Sequence, residues 1–77
     1  MKIEVYAVLK DYFEKEFMVQ QSFNDIKALK SFLIDKNPAA AEILNISRFA
    51  VDNEFVDNNY SLNKNDSISI MPPSSGG

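Results

Sequence analysis

Two hydrophobic patterns alternate along this chain, one with a period of two residues and one with a period of three to four. Near the start, Ile3, Val5, Ala7 and Leu9 occupy every second position, which predicts a half-buried β-strand. The segment FMVQQ, at residues 17–21, predicts a second short strand. The polar connection between them contains no glycine, so we expect a hairpin with a wide loop.

The pattern changes to helical spacing at residues 24–37, where the sequence is NDIKALKSFLIDKN. Either Asn24 or Asp25 suits the N-cap, because a short side-chain oxygen can accept a hydrogen bond from the first turn. Asn37 should end this helix, since a residue that precedes proline avoids the helical conformation. Pro38 then favours the start of a second, shorter helix.

Strand patterns return in the second half of the chain. The segment RFAVDNEFV predicts a hairpin whose turn lies at residues 52–54, and SISIM at residues 67–71 predicts the last strand. In that strand Ile68 and Ile70 should face inward and Met71 outward.

The polar segment between these strands predicts a loop with two buried anchors, Tyr60 and Leu62. Asn65 is expected to supply a left-handed residue there, a conformation that asparagine tolerates. The phenylalanines predicted to lie in the core are Phe13, Phe17, Phe32, Phe49 and Phe55.

The order of elements predicts an α+β fold of the β-grasp, or ubiquitin-like, kind. One main helix and one short helix would pack on a mixed sheet of four to five strands, which satisfies every apolar face in so short a chain. The expected organisation is a β-grasp domain at residues 1–71 and a flexible tail, Pro-Pro-Ser-Ser-Gly-Gly, at residues 72–77.

The amino-acid composition excludes several kinds of catalytic and metal-binding chemistry. The 77 residues include no cysteine and no histidine, so thiolate nucleophiles, imidazole bases and the usual zinc ligands are absent. The formal net charge of −3 disfavours nucleic acid and anionic membranes as partners. No signal peptide or membrane-spanning run is evident, and we therefore expect a cytoplasmic protein.

The two glycines of the chain are its last two residues, Gly76 and Gly77. Pro72 and Pro73 have no N–H to give to a β-ladder, so they should direct the chain off the sheet. Beyond Ser67 the sequence carries no charged side chain, and the extended arm would reach about 20 Å. One interpretation is a frayed terminus. The other is a slim arm that delivers its carboxylate into a narrow channel of another protein.

Four segments that together span nearly the whole chain match the pattern of a known family: IEVYAVLKDYF, FNDIKAL, AVDNEFV and LNKNDSISIMPPSSGG. They resemble the small, sulfur-carrying subunits of molybdopterin synthase, within the ubiquitin-like sulfur carriers. The last segment is the most specific, because that family ends in Pro-Pro-Val-Ser-Gly-Gly. The chain departs from the family at Asn65, where glycine is usual, at Ser74, where valine is usual, and at Asp52, where asparagine is usual.

The resemblance implies a carrier with no catalytic residues of its own and no bound cofactor. An adenylating enzyme related to ubiquitin-activating enzymes would use ATP to activate the Gly77 carboxylate, and a persulfide donor would convert it to a thiocarboxylate. The large catalytic subunit of molybdopterin synthase would then receive the tail, in a heterotetramer of two small and two large subunits. There the sulfur would pass to cyclic pyranopterin monophosphate.

The resemblance also assigns roles to residues of this chain. Gly77 would be adenylated and then carry the thiocarboxylate, and Gly76 would keep the backbone slim beside it. The residues expected to contact the partner are Pro72, Pro73, Ser74, Ser75, Met71, Tyr6 and Val8. Tyr6, Val8 and Met71 are placed on the outward faces of the first and last strands, where they would form an apolar patch.

Three other functions stay open from the sequence. The chain could carry sulfur for thiamine or for tRNA thiolation, it could be a ubiquitin-like protein modifier joined to lysines, or it could be a plain interaction module with an unused tail.

Overall fold

The computed structural model describes residues 1–73, which form a five-stranded mixed sheet with helices packed on one face. The strands are numbered in chain order, and the two α-helices and two 3₁₀-helices lie between them. The bounds are β1 Lys2–Val5, a 3₁₀-helix Ala7–Asp11, β2 Glu16–Met18, α1 Ile26–Lys36, a 3₁₀-helix Pro38–Ala40, α2 Ala41–Ile46, β3 Arg48–Val51, β4 Glu54–Val56 and β5 Ser67–Met71.

The strand order across the sheet is β2-β1-β5-β3-β4, so the last strand lies in the middle. β5 runs parallel to β1 and antiparallel to β3. The outer pairs, β1 with β2 and β3 with β4, are antiparallel hairpins. The α+β, β-grasp prediction with five strands, one main helix and one short helix is therefore confirmed.

The core lies between the helices and the inward face of the sheet. Alternate residues of β1 and β5 point into it, as their period-two pattern predicts, and α1 supplies residues at spacings of three and four. The largest fully buried side chains are Ile3, Val5, Leu9, Ile26, Leu29, Leu33, Leu44, Ile68 and Ile70.

The main helix begins and ends where the sequence predicts. Asp25 is the N-cap, and its Oδ1 accepts a hydrogen bond of 2.9 Å from the backbone N–H of Ala28. Asn37 is the C-cap, and its side-chain Nδ2 donates to the backbone carbonyl oxygen of Tyr12 at 2.9 Å. The helix end is thus tied to the segment that precedes β2. Pro38 starts the short 3₁₀-helix that leads into α2.

The β3–β4 hairpin explains how the chain makes a tight turn without glycine. Asp52 and Asn53 have φ angles of 51° and 73°, the left-handed values that a two-residue hairpin turn requires at both central positions. Aspartate and asparagine tolerate this conformation better than other non-glycine residues. Glu54 already belongs to β4, so the turn is one residue shorter than predicted.

Several predicted positions differ in the structure. β1 ends at Val5, because Ala7 adopts a left-handed φ of 54° and begins a 3₁₀-helix, which still directs Leu9 into the core. β2 occupies residues 16–18 instead of 17–21.

Two expected core aromatics are exposed, Tyr60 by 42% and Phe55 by 50%. Asn65 does not have a positive φ. Of the other predicted core phenylalanines, Phe49 is buried, while Phe13, Phe17 and Phe32 are partly buried against the core.

The N-cap of α1 gives a stability prediction. Replacing the cap by Asp25→Ala removes the acceptor for the Ala28 N–H and should lower the free energy of unfolding by about 1 kcal/mol in urea titrations. Asp25→Asn keeps an acceptor and should lose less than half as much. Asp35→Ala removes an exposed carboxylate from the same helix and serves as the control. Equal losses for the three variants would contradict the capping role.

Candidate functional site

The candidate site is the point where the chain leaves the sheet, which we call the tail exit: Met71, Pro72 and Pro73. β5 pairs with β1 as far as Ile70, and with β3 as far as its last residue, Met71, which pairs with Arg48. The backbone N–H of Tyr6 also donates to the carbonyl oxygen of Ile70 at 3.2 Å. The base of the tail is therefore held by the central strand.

The two prolines end the ladder as predicted. Pro72 is half-buried and Pro73 is exposed, and β5 stops immediately before them. Because neither has a backbone N–H, the ladder cannot continue through them. The other tail residues given a role from the sequence, Ser74, Ser75, Gly76 and Gly77, lie outside the described residues.

In the structure Tyr6 follows the Val5–Ile70 pair and is therefore in register with Met71, but Tyr6 and Val8 do not lie where the sequence predicted. Neither lies on a strand, because β1 ends at Val5 and Val8 belongs to the 3₁₀-helix that follows. Tyr6 is half-buried and Val8 is 45% exposed. The left-handed Ala7 between them causes the change of direction. Tyr6 nevertheless makes the hydrogen bond to Ile70, and Val8 follows two residues later, so both lie at the same end of the sheet as the tail exit.

A row of side chains crosses the open face of the sheet beside the tail exit. We call Tyr6, Met71, Arg48 and Phe55 the tail-side row. Tyr6 follows the Val5–Ile70 pair and so lies next to Met71, and Met71 is paired with Arg48. The Arg48 guanidinium carbon lies 3.8 Å from the centroid of the Phe55 ring. The row is largely apolar and carries one cation.

Phe55 is the member of this row for which the prediction of a core position was wrong. Its hydrophobicity suggested the core, but it lies opposite Ala50 on the outward face of β4. The alternation of side chains along a strand could have indicated this. Val56 packs against the core, so the side chain of the preceding residue, Phe55, must point to the opposite face. Together with Met71 and Tyr6, the exposed Phe55 gives this end of the open face several neighbouring apolar side chains, and contiguous apolar surface suits protein contact.

The opposite half of the open face carries one ion pair and a further carboxylate, Glu4, which lies opposite Glu16 in the β1–β2 register. Lys2 Nζ lies 2.8 Å from a carboxylate oxygen of Glu16 across the β1–β2 pair. The hydrogen bond and the charge of Glu16 raise the pKa of Lys2 from its usual 10.5. Any stabilisation by this pair is present at neutral pH and is lost as the pH rises through that raised pKa.

Residues 1–73 offer little chemistry of their own. They contain no group of three or more potential metal ligands, and no helix among them is long and apolar enough to cross a membrane. A cavity of about 370 Å³ lies between β2 and α1, and its apolar lining includes Phe13, Phe17, Phe32 and Leu33. That cavity suits hydrophobic contact, whereas the tail exit is the feature that the sheet positions most firmly.

Comparisons with known proteins agree with this geometry. A sequence model described as the ThiS family matches residues 3–77. The molybdopterin synthase sulfur carrier subunit of Dictyostelium discoideum is 33% identical over 85 aligned positions, which cover 99% of this chain and 94% of that protein.

Two solved structures are also similar. A chain in the complex of subunits 1 and 2 of molybdopterin-converting factor from Helicobacter pylori has a TM-score of 0.70 and 27% identity, covering 99% of this chain and 96% of its own. SAMP1 from Haloferax volcanii has a TM-score of 0.79 at 16% identity, covers 99% of this chain and 97% of its own, and shows the shared fold alone.

Fold and tail exit together define a small ubiquitin-like domain whose central strand leads directly into a C-terminal tail. The chain belongs to the ThiS family, because the match extends from the first strand through Gly77. The resemblance to the small subunits of molybdopterin synthase is confirmed by the curated relative and by the Helicobacter pylori structure.

The turn at Ala7 gives a prediction for this end of the sheet. A left-handed conformation costs a β-branched residue about 1 kcal/mol or more, so Ala7→Val should lower the free energy of unfolding by about that amount. Ala7→Gly should leave it unchanged or raise it by up to about 1 kcal/mol, because glycine adopts this φ freely. Ala39→Val, at an exposed position without a positive φ, is the control. A stabilising Ala7→Val substitution in urea titrations would contradict this account.

Proposed function

We propose that this chain is the sulfur carrier subunit of a molybdopterin synthase, and that the carboxyl group of Gly77 is the group that carries the sulfur. The observation that carries the proposal is the family match through residue 77, which includes both terminal glycines. The curated relative, itself a molybdopterin synthase sulfur carrier subunit, supports the choice of pathway. The strand-anchored tail exit supports the mode of action, because it gives the arm a fixed origin.

Loading begins with a carboxylate, which is a poor electrophile. In the proposal, an adenylating enzyme catalyses attack of the Gly77 carboxylate on the α-phosphate of ATP, and pyrophosphate leaves. The terminal sulfur of a persulfide donor then attacks the acyl carbon and displaces AMP. A thiol opens the resulting acyl disulfide, which leaves a thiocarboxylate on Gly77 and a disulfide on the donor side. No cofactor bound by this chain takes part.

Unloading takes place in the large subunit. The tail enters its active site, where the thiocarboxylate sulfur attacks a side-chain carbon of cyclic pyranopterin monophosphate and a carbon–oxygen bond of that substrate breaks. Water then hydrolyses the acyl–sulfur bond, which leaves the sulfur on the pterin and returns the Gly77 carboxylate. Two loaded carriers supply the two sulfurs of one dithiolene, which agrees with a heterotetramer of two small and two large subunits. The Helicobacter pylori neighbour, a complex of subunits 1 and 2, supports a large-subunit partner.

Each tail residue has a physical role in this proposal. Gly76 leaves the backbone beside the reacting carbonyl without a side chain, so that a narrow channel can close around it. Pro72 and Pro73 release the arm from the sheet and stiffen its first segment. Ser74 and Ser75 are small and uncharged, which suits passage through a channel. Tyr6, Val8 and Met71 contact the surface around the mouth of that channel.

The loaded state has a defined mass. Co-expression with the adenylating enzyme and a persulfide donor should yield a protein heavier by about 16 Da, the difference between one sulfur and one oxygen atom, in intact-mass spectra. Alkylation with iodoacetamide should then label the C-terminal residue, since a thiocarboxylate is a sulfur nucleophile.

Other results would contradict the proposal and indicate a different function. Conjugates of higher mass that depend on Gly77 would indicate a protein modifier. Normal function after deletion of Gly76 and Gly77 would indicate an interaction module. Sulfuration of a thiazole precursor or of tRNA, without sulfuration of the pterin, would indicate a carrier for one of those pathways.

The penultimate glycine gives a graded test. Gly76→Ala adds one methyl group and Gly76→Val adds a branched side chain, so kcat/KM for adenylation should fall progressively, by at least about tenfold for valine. Pyrophosphate release measures the rate. Ala39→Val adds similar bulk on the exposed surface far along the chain and should have no effect. Full activity of Gly76→Val would contradict the narrow-channel account.

A further inference from the structure

Arg48 is an exposed cation that contacts an aromatic ring and has no carboxylate partner within residues 1–73. Its guanidinium carbon lies 3.8 Å from the centroid of Phe55, which is a stacked cation–π contact. No ion pair joins it to any Asp or Glu of the described part of the chain, where the recorded pair is Lys2 with Glu16. One face of the guanidinium is therefore covered, and its N–H donors at the edge remain available.

The acidic residue nearest in register does not neutralise this cation. Asp57 follows β4 directly and would oppose Arg48 if the β3–β4 ladder continued by one pair. Its Oδ1 instead accepts a hydrogen bond of 3.0 Å from the backbone N–H of Asn59, which stabilises the loop after β4. Glu16 lies across the sheet on β2 and is paired with Lys2.

The position of Arg48 relates it to the tail exit. It is paired with Met71, the last residue of β5, and directly paired side chains on one face lie about 5 Å apart. In the proposed function, a protein that receives the tail near its exit lies beside this part of the open face. There it would cover Phe55 and Met71 and remove water from around Arg48. A desolvated guanidinium without a partner is costly, so the approaching surface needs a carboxylate there.

We propose that Arg48 is a specificity-determining residue that binds an Asp or Glu side chain of the synthase large subunit, at the rim of the channel that receives the tail. The inference rests on the proposed function and adds the chemistry of the contact surface. Stacking on Phe55 leaves the guanidinium edge oriented for bidentate hydrogen bonding to a carboxylate. The complementary surface is apolar opposite Met71 and Phe55 and acidic opposite Arg48.

The test measures binding of the full-length chain to the molybdopterin synthase large subunit of the same genome, by isothermal titration calorimetry at low and high salt. Arg48→Gln should raise Kd about tenfold, which is about 1.4 kcal/mol, and should weaken the dependence of Kd on salt. Arg48→Glu should raise Kd further. Arg48→Lys keeps the positive charge but loses the planar guanidinium that makes two hydrogen bonds to one carboxylate. Its Kd should therefore lie between those of the wild type and Arg48→Gln.

Lys64→Gln is the matched control, because it removes one exposed positive charge from the loop before β5, at the end of that strand opposite the tail exit. It should leave Kd unchanged. Replacement of the responsible large-subunit carboxylate by lysine should restore binding to Arg48→Glu. Unchanged Kd for Arg48→Gln and Arg48→Glu, with thermal unfolding showing that both are folded, would overturn the proposal.

The same experiment separates this proposal from the assignment of function. If the wild-type chain binds the large subunit, and deletion of Gly76 and Gly77 abolishes sulfur transfer, the proposed function stands regardless of the results for the Arg48 variants. Wild-type chain that neither binds the large subunit nor gains a thiocarboxylate would overturn both.

Discussion

The parallel pairing of β5 with β1 is the contact on which the rest of the molecule depends. It joins the two ends of the chain, places the most regular apolar strands at the centre of the sheet, and buries Ile3, Val5, Ile68 and Ile70 beneath α1. Parallel pairing requires a long crossover, and here the whole of α1, α2 and the β3–β4 hairpin lies within it. Everything between the two strands is therefore arranged around a contact that forms across the full length of the sequence.

The same contact divides the molecule into a fixed scaffold and an outgoing arm. β5 has paired neighbours on both sides up to Ile70, Met71 still pairs with Arg48 of β3, and the prolines that follow cannot prolong these ladders. A carrier whose reacting group lies at the end of a tail needs such an arrangement. In the proposed function, the scaffold would supply recognition through the tail-side row, and the arm would supply the carbonyl carbon. The two tasks use different residues, so each can change without the other.

Much of this could be predicted from the sequence because the relevant signals are local. Alternation at 67–71, a cap at Asn24 or Asp25 and the proline after Asn37 act over a few residues. The structure confirms the strand and the helix end, and it has Asp25 as the cap. The errors arose where the outcome depends on tertiary context. Nothing in a run of alternating residues shows that Ala7 will turn left-handed, since alanine rarely does so. Hydrophobicity likewise could not separate the exposed Phe55 from a core phenylalanine.

The central place of β5 has a mechanical consequence. A force applied to the tail would act along the strand, so that the ladders to β1 and β3 are loaded lengthwise and many hydrogen bonds resist together. An edge strand would instead be peeled away one bond at a time. In the proposed function, a partner could therefore bind the tail and release it again while the domain stays folded. ATP-driven unfolding machines that pull from this terminus would meet the strongest part of the sheet first.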